Sequence, residues 1–310
     1  MIAGLSAEEA RAISRINVGA SAFSFAGSFF IVACFLLFKE LRKFSFRLVF
    51  YLSLSDMFCS FFNLLGDPGR RGFLCYMQGY CTQFFSVASF LWTTAIAFTL
   101  HRTVVRHKTD VEELGPIFHL YVWGASLIMT VLPSVGTDYG EVGAWCWVQT
   151  KAGEVLRFIS FYVPLWGAIL FNGFIYFQVT RMLNYASRMA AGMSDRQRQV
   201  EIKADLKIMN RLGYYPLILI GSWTCGTMNR IQSFIAPQRP VFWLCLLDVG
   251  TASLMGLFNS IAYGLNAAVR RTLRERLQQY WPEKYRWSKL RGFAESEMTP
   301  LSSSDPGSQL

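Results

Sequence analysis

The sequence is poor in charged side chains. Aspartate, glutamate, lysine and arginine make up 16% of its 310 residues, and hydrophobic residues make up 53%, whereas soluble domains contain about 25% charged residues. This deficit argues against a soluble protein and favours one that crosses a membrane several times. The net charge of +10 is spread over short segments between apolar runs, without zinc-finger spacing or a basic stripe, so we expect no nucleic-acid partner.

Histidine is scarcer still. The only three, His101, His107 and His119, are close together in sequence, and no second cluster of ligand residues accompanies them, whereas a metal hydrolase needs several ligands on one ion. The sequence also lacks a Gly-x-Ser-x-Gly motif. We therefore expect a protein that is not an enzyme, with no catalytic residue, no metal and no cofactor.

Further absences narrow the class of membrane protein. The last apolar run, residues 241–264, contains no lysine, which excludes a retinal Schiff base. The N-terminus has no basic segment followed by an apolar core, so we expect no cleaved signal peptide and expect the first span to direct insertion. No internal repeat supports a transporter, although a small transporter stays an alternative.

The sequence contains several long apolar runs. A helix needs about 20 apolar residues to cross a bilayer, and the runs predict an all-α membrane protein, a bundle of seven transmembrane helices. The predicted spans are residues 17–38, 46–66, 75–100, 117–136, 155–180, 209–234 and 241–264. They form one transmembrane domain, 17–264, after a short extracellular segment, 1–16. An interfacial amphipathic helix, 265–285, and a disordered cytosolic tail, 286–310, follow it.

The third predicted span carries a stripe of small and hydroxyl-bearing residues. The stripe recurs at steps of three and four and consists of Gly79, Thr82, Ser86, Ser89, Thr93 and Ala97. Because such residues let helices approach closely and hydrogen-bond within a membrane, we expect this helix at the centre of the bundle rather than as one span among equals. Its opposite face is expected to contact lipid and consists of Tyr80, Phe84, Leu91 and Phe98.

The positions of lysine and arginine predict the orientation. Of the 30 such residues, 22 belong to the segments after the first, third, fifth and seventh spans, and 8 belong to the opposite side. Because cytosolic segments carry the excess, we expect the N-terminus outside and the C-terminus in the cytosol. Cys75 and Cys146 then both lie on the outer, oxidising side, and we expect a disulfide there rather than two free thiols.

Two carboxylates fall inside predicted spans, where a charge is costly and needs a reason. Asp56 matches Asn259 and Tyr263 in depth, and a polar cluster at that depth allows two alternative hydrogen-bond arrangements. Asp248 lies near Arg230, and this pair is either a structural ion pair or a ligand contact.

Five stretches of the sequence resemble one known family. They are KELRKFSFRLVFYLSLSDM, SFLWTTAIAFTLHRTVV, HLYVWG, GYYPLILIGSW and LDVGTASLMGLFNSIAYG. In this order they resemble the plant G-protein-coupled-receptor-like proteins related to the slime-mould cyclic-AMP receptors, over roughly residues 15–285. The resemblance implies a multi-pass plasma-membrane receptor that signals through the α subunit of a heterotrimeric G protein. Two motifs depart from the wider superfamily: Ser260 replaces the proline of NPxxY, and no acidic residue precedes Arg102 in LHRT.

A receptor is the function that these features predict, and a membrane scaffold that binds Gα without nucleotide exchange is the alternative. An unknown extracellular ligand is expected between the outer halves of spans three, five, six and seven. The predicted ligand-binding residues are Gln83, Tyr162, Asn229, Arg230 and Asp248. Trp145 and Trp147 either line the mouth of that pocket or anchor their loop at the membrane interface.

A change between two packings of the bundle is expected to carry the signal. The predicted switch residues are Asp56, Arg102, Pro216, Asn259 and Tyr263, of which Pro216 is expected to kink the sixth span. The predicted G-protein-facing residues are Lys39, Arg42, Lys43, Arg106, Lys108, Arg196 and Lys203. The amphipathic helix after span seven is expected to bind the lipid of an anionic membrane surface.

Overall fold

The computed structural model describes residues 6–66, 72–106, 110–135, 139–142, 145–149, 153–191, 214–236, 239–264 and 267–280. The helices, in chain order, are α1 (Ala7–Leu37), α2 (Phe44–Asn63), α3 (Phe73–Val104), α4 (Gly115–Val131), α5 (Gly153–Arg157), α6 (Val163–Ala191), α7 (Tyr214–Ile235), α8 (Phe242–Ser253), α9 (Met255–Gly264) and α10 (Ala267–Tyr280). A π-helical turn, Phe158–Tyr162, joins α5 to α6, and 3₁₀ turns at Lys39–Leu41 and Asp110–Leu114 follow α1 and precede α4. Two strands, β1 (Tyr139–Glu141) and β2 (Cys146–Val148), form a hairpin.

Each predicted span corresponds to a helix or to a joined set of helices. Among the described residues, four segments are long and apolar enough to cross a membrane on their own: Ala7–Leu37, Phe73–Val104, Asp110–Val135 and Val155–Met189. The bent pair α8 and α9 qualifies as a fifth span, whereas α2 and α7 fall short by composition. The predicted amphipathic segment contains α10, and the predicted tail, 286–310, lies outside the described residues.

The first helix begins earlier than the apolar run indicates. Ser6 caps it, because its hydroxyl accepts a hydrogen bond from the Glu9 N–H at 3.2 Å while the Glu9 carboxylate accepts one from the Ser6 N–H at 2.7 Å. This reciprocal pair satisfies two N–H groups at the start of the helix. Residues 7–16, which belong to the predicted extracellular segment, are therefore helical.

The third helix is central, as predicted. α3 packs against α2, α4, α6, α7 and both strands, and every residue from Val87 to Ala97 is buried. The predicted lipid-facing side is wrong for Leu91, which is only 6% exposed, although Phe98 is 36% exposed. Because α3 crosses the middle of the bundle, its central turns have neighbours on all sides.

The seventh predicted span consists of two helices. The axes of α8 and α9 differ by 44°, and Leu254 lies between them. The inner helix packs on α1 so closely that a β-carbon on Gly256 would lie 2.4 Å from the Oγ atoms of Ser24 and Ser28. Only glycine fits this contact without movement of a neighbour.

The hairpin is fastened to the end of the bundle by a covalent bond and by one buried amide. Cys75 at the start of α3 is bonded to Cys146 in β2, so the predicted disulfide is confirmed. Gln78, which is fully buried, donates hydrogen bonds to the carbonyl oxygens of Phe62 at 3.1 Å and Gly66 at 2.7 Å, and its Oε1 accepts one from the Cys146 N–H at 2.8 Å. The side chain thus ties the hairpin to α2 and α3.

Many polar side chains are buried inside the bundle, and large apolar side chains are exposed on its surface. Serines of α1 and α2, such as Ser21, Ser28 and Ser53, are fully buried, whereas Leu120 and Ile235 are 77% and 80% exposed. In lipid, close packing and internal hydrogen bonds hold helices together, because burial of apolar surface gives little advantage there. This distribution fits a bundle surrounded by lipid.

Candidate functional site

A cavity of about 790 Å³ lies between the hairpin and the helices. All five predicted ligand-binding residues line it, and the cavity extends further than the sequence indicates, because residues of α1 and α2 line it as well. Asn17, Asp56 and Ser60 belong to this inner part. Whether a ligand contacts the five residues stays a prediction, but the fold does bring them together.

The outer part of the cavity holds the pair formed by Arg230 and Asp248. Asn229 donates a hydrogen bond from Nδ2 to Asp248 Oδ2 at 2.8 Å, whereas Arg230 Nη2 lies 4.0 Å from the same oxygen. The Arg230 guanidinium lies over the ring of Tyr162, 5.3 Å from its centroid. The arginine and the carboxylate are thus an ion pair that is longer than a hydrogen bond.

The amide of Gln83 forms hydrogen bonds with other parts of the protein, although the residue lines the cavity. Its Oε1 accepts a hydrogen bond from Trp147 Nε1 at 2.7 Å, and its Nε2 donates to the carbonyl oxygens of Met129 at 3.5 Å and Ser160 at 3.3 Å. Pro164 has no N–H for the Ser160 carbonyl, so Gln83 supplies a donor to that oxygen. This amide joins the hairpin, α3, α4 and the π turn.

Arg157 and Trp223 also line the cavity, and neither is among the predicted ligand-binding residues. Arg157 Nη2 donates a hydrogen bond to the Val148 carbonyl, and its guanidinium stacks on Trp147 at 4.7 Å from the ring centroid. A charge just inside the predicted fifth span was the available signal for Arg157, since such a charge needs a partner. Trp223 has no comparable signal, because tryptophan is common in membrane helices.

A second polar cluster joins α2, α3 and α9 at the inner end of the cavity. Asp56 is 4% exposed; its Oδ1 accepts a hydrogen bond from Ser89 Oγ at 2.5 Å, and its Oδ2 accepts one from Asn259 Nδ2 at 2.7 Å. The predicted proximity of Asp56 and Asn259 is therefore present. Tyr263 lies one turn further along α9, and its buried hydroxyl has no hydrogen-bond partner among the described residues.

Pro216 lies near the start of the described part of the sixth predicted span. Residues 209–213 of that span lie outside the described residues, and the description of α7 starts at Tyr214. The expected kink at Pro216 therefore stays a prediction, whereas a bend of 44° lies in the seventh predicted span.

Arg102, at the other end of α3, has an acidic partner after all. Its Nη2 lies 3.1 Å from Asp110 Oδ2 in the 3₁₀ turn before α4. No acidic residue precedes the arginine in the LHRT motif. The acidic partner is instead Asp110, eight residues after Arg102 in the sequence. The predicted switch residues thus fall into two separate groups, one around Asp56 and one at Arg102.

The predicted G-protein-facing residues differ in what they do. Arg42 donates hydrogen bonds to the Phe35 and Leu36 carbonyl oxygens at 3.4 and 2.6 Å and so caps the end of α1. Three other basic side chains at this end are exposed: Lys39, Lys43 and Arg106. The remaining three, Lys108, Arg196 and Lys203, lie outside the described residues.

α10 is attached to the same end by an ion pair. Arg276 Nη2 lies 2.8 Å from Glu40 Oε1 in the turn after α1. A backbone hydrogen bond and the Arg276 guanidinium lower the pKa of the Glu40 carboxyl. The pair therefore joins α10 to the turn wherever Glu40 is ionised.

Comparison with known proteins agrees with this geometry. Residues 5–276 match the family described as slime mold cyclic AMP receptor. The chain is 64% identical over 286 residues to G-protein coupled receptor 1 of Arabidopsis thaliana, covering 92% of this chain and 87% of the relative. It is 26% identical over 263 residues to cyclic AMP receptor-like protein A of Dictyostelium discoideum, covering 84% of this chain and 66% of that protein.

The crystal structure of squid rhodopsin has the same fold. It matches with a TM-score of 0.70 at 16% identity, covering 98% of this chain and 91% of rhodopsin. The likeness shows seven transmembrane helices, and the relatives are G-protein-coupled-receptor-like membrane proteins. This chain therefore belongs to the slime mold cyclic AMP receptor family of seven-transmembrane receptors.

Proposed function

We propose that the protein is a plasma-membrane receptor that transmits the binding of an outside ligand to the α subunit of a heterotrimeric G protein. One observation carries the proposal: a single cavity is lined by both Asp248 and Asp56. A ligand near the hairpin is then connected, through one continuous space, to the hydrogen-bond cluster in the middle of the bundle.

The bend in span seven provides a way for a ligand at Asp248 to affect the cluster around Asp56. α8 carries Asp248, α9 carries Asn259, and the 44° bend separates them. A ligand that moves Asp248 changes the angle between the two helices and with it the hydrogen bond from Asn259 to Asp56. Two packings that differ in this bond give the ligand two states to distinguish, and it favours the one that it binds better.

The opposite end of the bundle offers a surface for the partner. Lys39, Lys43 and Arg106 are exposed there, beside the ion pair of Arg102 and Asp110. A disulfide is typical of an oxidising compartment, and this supports a hairpin end outside and a basic end in the cytosol, as does the excess of lysine and arginine. α10 would lie against anionic lipid at this level.

Nucleotide exchange on purified Gα in nanodiscs tests the proposal. Exchange should be faster with this protein than with empty discs, and Arg102→Ala should abolish the difference. Arg239→Ala, which removes an exposed arginine outside the cavity, should leave the rate unchanged. Tight binding of Gα without exchange would instead support a scaffold, and no binding of Gα would overturn the G-protein part of the proposal.

A further inference from the structure

Arg230 has hydrogen-bond donors that the described residues leave unused. Within the described part of the chain its guanidinium donates no hydrogen bond, and its Nε is buried without a partner. The nearest carboxylate, Asp248, is 4.0 Å away and already accepts a hydrogen bond from Asn229. A guanidinium presents its donors as a planar fork that matches a carboxylate, so this one is suited to an oxyanion from outside the chain.

The other arginine of the cavity is in a different state. Arg157 donates a hydrogen bond to the Val148 carbonyl and stacks on Trp147, so it supports the hairpin. Of the residues that the structure describes, Arg230 interacts only with the face of Tyr162 and with the distant carboxylate. Its position is defined, and it can still accept a ligand.

The charge of the cavity limits the anion that can enter. Among the described lining residues are three carboxylates, of Asp56, Glu141 and Asp248, and two arginines. A second negative charge on a ligand at Arg230 would meet the Asp248 carboxylate, 4.0 Å from the guanidinium, whereas a single charge there is balanced by the guanidinium. A monoanion fits better than a phosphate monoester or a polyanion.

Aromatic side chains form the wall between Arg230 and the inner part of the cavity. Phe158, Phe161, Tyr162 and Trp223 line this region, and Phe161 and Trp223 pack edge to face with ring centroids 5.4 Å apart. Trp223 precedes Arg230 by seven residues on α7, which corresponds to about 10 Å along a helix. Its indole N–H is buried and has no acceptor among the described residues.

We propose that the ligand is an aromatic monocarboxylate whose carboxylate pairs with the Arg230 guanidinium. Its aromatic body lies along the wall of phenylalanine, tyrosine and tryptophan rings, over the roughly 10 Å along the helix axis that separates Arg230 from Trp223. This inference rests on the proposed receptor function, because it specifies the ligand of the same cavity.

The test uses the full-length protein in nanodiscs and compounds in matched sets. Each set contains an aromatic monocarboxylate, its primary amide, the corresponding amine and the corresponding phosphate monoester, and thermal stabilisation of the protein is measured against concentration. We expect the carboxylates to stabilise most strongly. Hydrogen bonds to a charged group predict a loss of affinity of about 10- to 100-fold for carboxylates in Arg230→Gln.

Three further variants separate charge from geometry. Arg230→Lys keeps the charge without the planar fork, so its loss should lie between the wild type and Arg230→Gln. Asp248→Asn removes the nearby negative charge and should strengthen carboxylate binding while it weakens binding of the amines. Arg239→Gln removes an exposed arginine outside the cavity and should change neither the binding of carboxylates nor the binding of amines. Unchanged binding of the amides in all variants shows that the bundle is intact.

Several results would overturn the inference. Amides, amines or phosphate esters that stabilise as well as the carboxylates would do so, as would carboxylates that keep their affinity in Arg230→Gln. In those cases the cavity still binds ligands and the proposed receptor function stands. If no class of compound stabilises the protein, the inference fails, and the exchange assay on Gα decides separately whether the receptor function fails with it.

Discussion

A methyl group at Gly256 should destabilise the protein. A β-carbon at this position would lie 2.4 Å from the Oγ atoms of Ser24 and Ser28 and 3.1 Å from Asp56 Cβ. Contacts below 3.0 Å require that a neighbour moves. The change Gly256→Ala is therefore expected to displace the two serine hydroxyls and to crowd the cluster around Asp56.

Two effects of opposite sign decide how much Gly256→Ala changes the free energy of unfolding. Alanine stabilises a helix interior by about 0.5–1 kcal/mol relative to glycine. Added volume in a packed interior costs about 1–3 kcal/mol. The cost exceeds the gain over most of these ranges, so we expect the free energy of unfolding to fall by about 1 kcal/mol.

A matched glycine and a compensating change make the test specific. Gly19, also in a helix, has no atom within 4 Å of its added β-carbon, so Gly19→Ala should leave stability unchanged or raise it slightly. Removing the hydroxyls of Ser24 and Ser28 by alanine substitution should restore stability to Gly256→Ala, with a coupling energy of about 1 kcal/mol. Thermal unfolding in detergent micelles measures all of these variants. If Gly256→Ala behaves like Gly19→Ala, the close contact does not exist.

Three other changes have defined outcomes. Gln78→Leu keeps the size of the side chain but leaves the Gly66 carbonyl oxygen and the Cys146 N–H without the partners that Gln78 supplies, so the free energy of unfolding should fall by about 2–4 kcal/mol. A loss below about 1 kcal/mol in thermal unfolding would contradict this. Asp110→Asn releases Arg102 from an exposed ion pair, so the free energy of unfolding should change by less than about 0.5 kcal/mol. Basal nucleotide exchange on Gα should rise. Basal exchange equal to that of the wild type would refute the idea that the pair restrains Arg102. Because the pKa of Glu40 is lowered, its pair with Arg276 should persist from neutral pH through the ordinary titration range of glutamate and be lost only at more acidic pH. Hydrogen exchange of α10 measures this, and loss of protection at mildly acidic pH would argue against it.

The membrane itself explains why much of the fold could be predicted from the sequence. Lipid requires long apolar runs and satisfied backbone groups, so the spans are visible without any knowledge of contacts. The contact of Asp56 with Asn259 follows from the same rule, because a charge at that depth needs a polar partner on another helix. The central position of α3 follows from its small residues.

What depends on local geometry could not be predicted in this way. Asp110 reaches Arg102 only because a short turn brings the chain back, and no pattern in LHRT indicates that turn. The bend at Leu254 has no proline beside it, so the positions of the prolines do not predict it. The use of Gln83 to satisfy the Ser160 carbonyl is equally invisible, since it depends on which carbonyl the π turn leaves exposed.

The disulfide between Cys75 and Cys146 also indicates whether the chain was inserted correctly into the membrane during synthesis. The two cysteines are 71 residues apart in sequence, and α3 and α4 both lie between them. They meet only if both helices have crossed and both sulfurs have reached the same oxidising compartment. A chain with α4 left out or inserted the wrong way would keep two thiols. Non-reducing electrophoresis of pulse-labelled chains would therefore count correctly inserted molecules before any signalling assay is possible.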